Sequence, residues 1–227
     1  MHTIFTEKQK LTELLEVNPQ LILMLPRFDM KLGFGEKRVG EICHASGVPS
    51  ELFLLLCNVY TFDSYEPTEE EIASIDGKML VKYLIASHDY YLNHRLKHIG
   101  KHVERIAHES GNIGSILINF FHEYSNEVEE HFKEEENTLF PILLQGGSFE
   151  KGKFNLKEMA GGHGSIEDKL SDLTNIIIKY LPADIMPNER IGVWFDISQL
   201  SKDIRKHAII EEKILIPYVE QKRGGKK

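Results

Sequence analysis

Two segments of this chain superimpose without a gap, and that repeat is what most restricts the fold. Each segment begins with His and carries Glu four and five residues later, Leu at eight and Pro at ten; the two segments span 131–141 and 207–217. Another histidine precedes each segment, His88 by 43 residues and His163 by 44. We interpret the pattern as a duplicated helical hairpin, each copy with one His on its first helix and His-x-x-x-Glu on its second.

Around these histidines, apolar residues recur at alternating steps of three and four, which predicts helices with one buried face. The four sets are Val81, Leu84, His88, Leu92, Leu96, Ile99 and Val103; Phe120, Tyr124, Val128, His131, Glu135, Leu139 and Ile142; Leu156, Met159, His163, Ile166, Leu170, Leu173, Ile177 and Tyr180; and Trp194, Ile197, Ser201, Ile204, His207, Glu211, Leu215 and Tyr218. Turn residues separate the sets at Gly111, 146–155 and 182–187. The prediction is an all-α fold, an up-down four-helix bundle.

The first sixty residues predict a small helical domain ahead of the bundle. Asn18-Pro19 resembles an N-cap followed by proline at the first helical position, and Gly47-Val48-Pro49 ends one helix and begins another. The predicted organisation is an N-terminal domain at 1–60, a linker with about one turn of helix at 61–77, the bundle at 78–221 and a basic disordered tail at 222–227. Pro141 and Pro217 are expected to end or kink their helices.

Charge and composition exclude several classes of partner. The net charge of −8 disfavours nucleic acid and anionic membrane. The longest apolar runs, 21–25 and 52–57, are far shorter than the roughly 20 residues that span a bilayer. Charged residues are mixed into the first twenty, unlike a secretory signal, and the two cysteines form no disulfide framework. We expect a soluble, cytoplasmic protein.

The repeated His and Glu fall on the predicted buried faces, which is costly without a partner. A spacing of four places His131 over Glu135, and His207 over Glu211, on one side of each helix. Buried carboxylates that face each other need compensating positive charge. A pair of divalent metal ions bridged by the two glutamates supplies it. One such His is more often an ordinary core residue, but the fourfold, symmetric pattern favours metal binding.

The predicted ligands are four imidazoles and two bridging carboxylates: His88, His131, Glu135, His163, His207 and Glu211. This set leaves coordination positions open on two six-coordinate ions, so the site should hold an oxo or hydroxo bridge or a small electron-rich ligand and be reactive. Imidazole and carboxylate suit iron, zinc or manganese. The predicted cofactor is two iron ions with an oxo or hydroxo bridge, zinc and manganese being alternatives in recombinant protein. No catalytic residue outside the metal site is expected.

Several nearby residues have more than one interpretation. His94, His98 and His102 form a separate row at spacing four, which is either a solvated face or a second metal site or proton route. His122 should lie on the opposite face from His131. The three glutamates Glu134, Glu136 and Glu212 are expected either in solvent or hydrogen-bonded to the metal ligands. Asp89 is expected in solvent rather than in contact with His88. The glycines at 161, 162 and 164 indicate either a frayed helix start or room for ligand entry beside His163.

With these ligands, the chain resembles the hemerythrin-like, HHE cation-binding family, and within it the di-iron repair-of-iron-centres proteins. The resemblance covers about residues 78–219 and assigns the same six ligands. It implies a stress-response protein that repairs iron–sulfur centres in client proteins, or that binds nitric oxide and reduces it to nitrous oxide. In that group the loop after an Asp-Met pair carries two adjacent cysteines, whereas here residues 31–35 read Lys-Leu-Gly-Phe-Gly.

The resemblance leaves other functions open. One is a module that binds or senses dioxygen, although the hemerythrins that carry oxygen have a larger ligand set. An oxidase- or peroxidase-like enzyme is another. A third is a protein that stores or donates iron without catalysis.

Overall fold

The computed structural model describes residues 4–145 and 156–224, with side chains except at 145, 156–163 and 223–224. Within these residues the chain is helical and has no strand apart from an isolated bridge between Lys10 and Arg38. The helices are α1 (Leu11–Val17), α2 (Met24–Arg27), α3 (Val39–Ser46), α4 (Ser50–Thr61), α5 (Glu69–Ser74), α6 (Gly77–Asp89), α7 (Lys97–Glu109), α8 (Asn112–Thr138), α9 (Phe140–Gln145), α10 (Leu156–Asn175), α11 (Pro187–Ile210) and α12 (Ile216–Gly224). The all-α prediction is confirmed.

The helix boundaries near the N-terminus follow from local sequence signals. Asn18 accepts a hydrogen bond from the backbone N–H of Gln20, and a short 3₁₀ helix, Pro19–Leu23, starts there. Gly47 ends α3 in the left-handed conformation (φ 67°), which a residue with a Cβ rarely adopts. In the predicted linker, Thr68 caps α5, and the Glu71 carboxylate accepts from the Thr68 N–H. The six residues of α5 make nearly two helical turns, where the sequence predicted about one.

The described chain forms two compact units, with boundaries inside α6 and α11. The first unit comprises Met1–Ser87, Leu139–Phe154 and Lys206–Lys227. Its core includes Phe28, which lies against Phe53 at a centroid distance of 5.7 Å and stacks on Tyr83 at 4.7 Å. Lys213 donates to the carbonyls of Asp63 and Tyr65, which holds the segment after α4 in place. This unit therefore combines the small N-terminal helices with the end of the chain.

The second unit comprises His88–Thr138 and Asn155–Arg205 and includes α7, α8, α10 and most of α11. Buried side chains from these helices form one apolar core, among them Val103, Leu117, Val128 and Leu173. Burial of this kind contributes about 25 cal/mol per Å² of apolar surface and stabilises the packing. The up-down order of the helices remains a prediction.

Arg190 is buried in the second unit, where it completes the end of the α10 segment. Its guanidinium donates to the carbonyls of Ile177 (2.9 Å), Ile178 (3.2 Å) and Pro182 (2.8 Å). These carbonyls lie at a helix C-terminus, where backbone acceptors lack intrahelical partners. The arginine therefore both satisfies the carbonyls and favours the negative end of the helix dipole.

The described residues include three π-helical segments: Tyr90–Leu96 joins α6 to α7, Glu211–Leu215 joins α11 to α12, and Ile176–Tyr180 ends the helix that begins as α10. A π turn holds more residues than an α turn, so it shifts the buried face. Tyr91 is therefore fully buried, whereas Leu92, which the periodicity placed on the buried face, is only partly so.

Two aromatic predictions were also wrong. Trp194 is 40% exposed and Tyr180 is 65% exposed, while Val193 is buried. The Tyr180 side chain lies at the end of a π segment. On α11, Ile197, Ile204 and His207 are buried as predicted, and Val193 and Leu200 are buried in place of Trp194 and Ser201. The break at Pro141 is confirmed, because α8 ends at Thr138 before it. The predicted loop 146–155 and residues 225–227 of the predicted tail lie outside the described residues.

Candidate metal centre

Helix α8 places His131 and Glu135 one turn apart, as their spacing predicts. The Nε2 atom of His131 is 3.2 Å from Oε1 of Glu135, and the Glu135 side chain is only 3% exposed. Two ligand atoms bound to one ion through bonds of about 2.0–2.2 Å lie about 2.8–3.6 Å apart. The observed separation fits a shared metal ion, and it exceeds the roughly 2.7–2.9 Å of a charge-assisted hydrogen bond.

His88, at the end of α6, approaches the other oxygen of the same carboxylate. Its Nε2 atom lies 3.3 Å from Oε2 of Glu135, and its side chain is 1% exposed. Each oxygen of Glu135 thus faces a different imidazole. A carboxylate that bridges two metal ions presents its oxygens in this way.

A second carboxylate orients His88. Oε1 of Glu136 is 2.8 Å from Nδ1 of His88, and the ring stacks on Phe132 with centroids 4.0 Å apart. Because an ionised carboxylate only accepts, we assign the proton to Nδ1, which leaves the Nε2 lone pair directed at Glu135. In the neutral imidazole this lone pair and the Glu135 oxygen repel each other, and a proton or a metal ion between them removes the repulsion. The donor set therefore fits a metal ion.

The first unit holds the corresponding pair from the second copy of the repeat. The Nε2 atom of His207 is 3.2 Å from Oε1 of Glu211, with the side chains 1% and 4% exposed. His207 lies in the last turn of α11, and Glu211 begins the π segment. The sequence spacing of four thus produces the same His–Glu separation in both copies.

The remaining predicted ligand, His163, belongs to α10, but its side chain lies outside the described residues. The same holds for Gly161 and Gly162, so neither interpretation of these glycines is tested. Buried His and Glu side chains able to bind a metal are thus present at His88, Glu135, His207 and Glu211.

The residues near the predicted ligands are mostly exposed, and one of them, Glu136, contacts a predicted ligand. Asp89 is exposed and accepts a hydrogen bond from Asn93 at 2.7 Å, so it does not orient His88. Glu136 takes that position instead, and Glu134 and Glu212 are exposed. His122 is exposed, as its distance from His131 along the helix predicts. No sequence signal distinguished Glu136 from Glu134, because its partner is 48 residues away.

The two thiols of the N-terminal region are both buried. Cys43 is 1% exposed and Cys57 is 0% exposed, and both are free. Burial raises the pKa of the Cys43 thiol to about 12, and it raises the pKa of Cys57 well above its ordinary value. Since the thiolate is the form that binds metals, these cysteines do not replace the adjacent pair that the family resemblance led us to look for.

Among the described residues, no helix is both long enough and apolar enough to cross a bilayer. The fold and the buried histidines and glutamates define an all-helical, metal-binding protein.

Comparison with protein families identifies the family of this metal-binding protein. The model described as the hemerythrin HHE cation binding domain matches residues 79–219, and the chain belongs to this family. Domains of the family bind metal cations, typically iron, and small ligands such as dioxygen. A search of curated proteins found no significant match.

Proposed function

We propose that this chain is a non-haem di-iron protein of the nitrosative and oxidative stress response. In this proposal it repairs iron–sulfur centres of client proteins, or binds nitric oxide and reduces it at the iron pair. The ligands are His88, His131, Glu135, His163, His207 and Glu211. The observation that carries the proposal is the separation of 3.2–3.3 Å between imidazole nitrogens and carboxylate oxygens in both copies of the repeat.

The contacts of Glu135 support two ions rather than one. One of its oxygens faces His131 and the other faces His88, so the carboxylate has an imidazole partner on each side. The second copy supplies a further buried carboxylate, Glu211, with its own imidazole. Two such carboxylates balance part of the charge of two divalent ions and limit the repulsion between them.

The residues of the chain prepare the site before any ligand arrives. Glu136 holds the Nδ1 proton of His88, and the stacked Phe132 ring limits rotation of the imidazole. Burial of His88 and Glu135 keeps bulk water from their ligand atoms. When bound, the iron pair supplies two electrons, which with two protons convert two molecules of nitric oxide to one nitrous oxide and one water.

The first experiment measures metal content and the visible spectrum of protein from iron-supplemented cells. We expect about two irons per chain, as two-metal sites of this type hold. The double variant Glu135→Ala, Glu211→Ala should lose both the iron and its ferric absorption band. The matched control changes the exposed neighbours, Glu134→Ala and Glu212→Ala, and should retain iron. Iron binding that survives in the first variant would refute the ligand assignment.

A second experiment separates the proposed activity from its alternatives. The reduced, iron-loaded protein is mixed anaerobically with nitric oxide, and nitrous oxide is quantified by gas chromatography. About one nitrous oxide per iron pair is the expected yield. An unchanged spectrum with nitric oxide would refute the proposal. Reversible dioxygen binding, turnover with peroxide or transfer of iron to a chelator would then identify which alternative holds.

A further inference from the structure

A second group of ligand residues lies in the second unit, outside the proposed iron site. His98 and His102, on α7, and Asp196, on α11, each offer a ligand atom, and these atoms lie within 4.8 Å of one another. We propose that these three residues bind a divalent transition-metal ion of the zinc class. The inference is independent of the proposed iron site and of its chemistry.

The two histidines present the spacing that a helical metal site needs. Residues four apart lie on the same face of an α-helix, so both imidazoles can reach one ion. The rings of His98 and His102 have centroids 4.7 Å apart and an interplanar angle of 68°, so they are not stacked face to face. His94, in the same row, lies in the π segment and packs beside Tyr90 at 6.1 Å. The row predicted from the sequence therefore contributes two of its three histidines.

Asp196 supplies the ligand from the neighbouring helix, and an arginine fixes its orientation. Arg95 donates to Oδ1 of Asp196 at 3.0 Å and to its backbone carbonyl at 3.1 Å. The other oxygen, Oδ2, faces Nε2 of His98 at 3.3 Å. Two ligand atoms about 2.05 Å from a tetrahedral zinc ion lie about 3.3 Å apart, so this separation fits joint coordination.

Glu189 orients His102 in the way that carboxylates orient zinc-bound histidines. Its Oε1 atom is 2.9 Å from Nδ1 of His102. Arg105 Nη2 is 2.6 Å from the same carboxylate oxygen and 2.7 Å from Nδ1. Nδ1 cannot both donate to Glu189 and accept from Arg105. We therefore assign the proton to Nδ1 for the metal-bound form, in which the exposed Arg105 side chain keeps its contact with Glu189 and moves away from the imidazole. Nε2 then remains as the ligand nitrogen.

The charges around the group indicate a site of moderate affinity. Asp196 and Glu189 carry negative charge, and Arg95 and Arg105 offset it, so a bound cation is not strongly favoured by local charge. His98 is half-exposed, with 50% of its side chain accessible. An ion from solution can therefore reach the group directly, and water can complete its coordination.

The test uses tag-free protein with its iron loaded, titrated with zinc against a chromogenic chelator. We expect one additional zinc per chain, with the iron content unchanged. His98→Ala and His102→Ala should each weaken this binding about 100-fold, and Glu189→Gln about 10-fold, as removal of a ligand and of its orienting carboxylate does. His94→Ala is the matched control on the same row and should bind zinc as the wild type does.

Cobalt provides a second measurement, because its visible absorption reports coordination geometry. Cobalt added to the iron-loaded wild type should give the intense bands of a four-coordinate ion, and the His98→Ala, His102→Ala double variant should not. The proposal is overturned by three results: no zinc beyond the iron site, zinc uptake matched by iron loss, or extra zinc that persists in the double variant. Circular dichroism of the variants verifies that they are folded.

Discussion

Replacing the two buried carboxylates with amides should affect the protein in opposite directions with and without metal. Glu135 and Glu211 are 2% and 3% exposed. Bound cations offset their charge, but in metal-free protein the carboxylates keep the cost of leaving water. Glutamine has nearly the same volume and no charge. The Glu135→Gln, Glu211→Gln variant should therefore lose iron, yet be more stable than metal-free wild type.

The size of the effect follows from burial and from the histidine contacts. Burying an ionised carboxylate costs several kcal/mol, by an order-of-magnitude estimate. The imidazoles at 3.2–3.3 Å recover part of that cost when they are protonated. Where the neighbouring histidines are neutral, the amides remove two buried charges, and we expect a gain of about 1–3 kcal/mol for the metal-free double variant.

The assay is urea denaturation at pH 7, followed by far-ultraviolet circular dichroism, with and without iron. Iron at about 100 times its dissociation constant should stabilise wild type by about 2.7 kcal/mol and leave the double variant unchanged. The exposed-site control, Glu134→Gln with Glu212→Gln, should stay within about 0.5 kcal/mol of wild type in both conditions. A metal-free double variant less stable than metal-free wild type would refute the reasoning, because the carboxylates would then be stabilised without metal.

Three further predictions rest on single contacts. Glu136→Gln should lower iron affinity about 10- to 100-fold, measured by chelator competition, because the amide orients His88 less strongly than the carboxylate; an unchanged affinity would exclude that role. Gly114→Ala should destabilise the protein by more than about 1 kcal/mol, because the added Cβ would lie 2.0 Å from the Ala107 carbonyl oxygen. Gly192→Ala is the control: its added Cβ would meet no atom within 4 Å, so it should stabilise α11 by up to about 1 kcal/mol. Thermal denaturation measures the stability of both variants, and equal changes in melting temperature would contradict the close approach of Gly114 to the Ala107 carbonyl. Cys43 and Cys57 should resist thiol reagents at pH 8 until urea unfolds the chain, because burial raises the pKa of both thiols; rapid labelling of the native protein would argue against it.

The parts of the fold that depend on local spacing were predictable from sequence. His131 and Glu135 meet because they are four residues apart on one helix, and Asn18 and Gly47 mark helix ends through their own hydrogen bonding and backbone freedom. The partner of His88 was not predictable, since Glu136 and Glu134 look alike until His88 lies against α8.

The shifts of the buried face were unpredictable for a related reason. A π segment has no distinct sequence signature, so the periodicity continued through Tyr90–Leu96 as though the helix were regular. The position of Asp196 beside His98 depends on packing of α7 against α11, which residues nearly a hundred positions apart do not reveal.

The proline that ends each repeat has different consequences in the two copies. Proline lacks the N–H that would bond four residues back. The first copy breaks its helix before Pro141, whereas the second widens it: the Ile216 N–H donates to the carbonyl of Glu211, five residues earlier. The shared motif thus has different backbone conformations around Glu135 and Glu211. Two iron ions held by these carboxylates should be spectroscopically inequivalent, and a Mössbauer spectrum of the iron-loaded protein should resolve two quadrupole doublets rather than one.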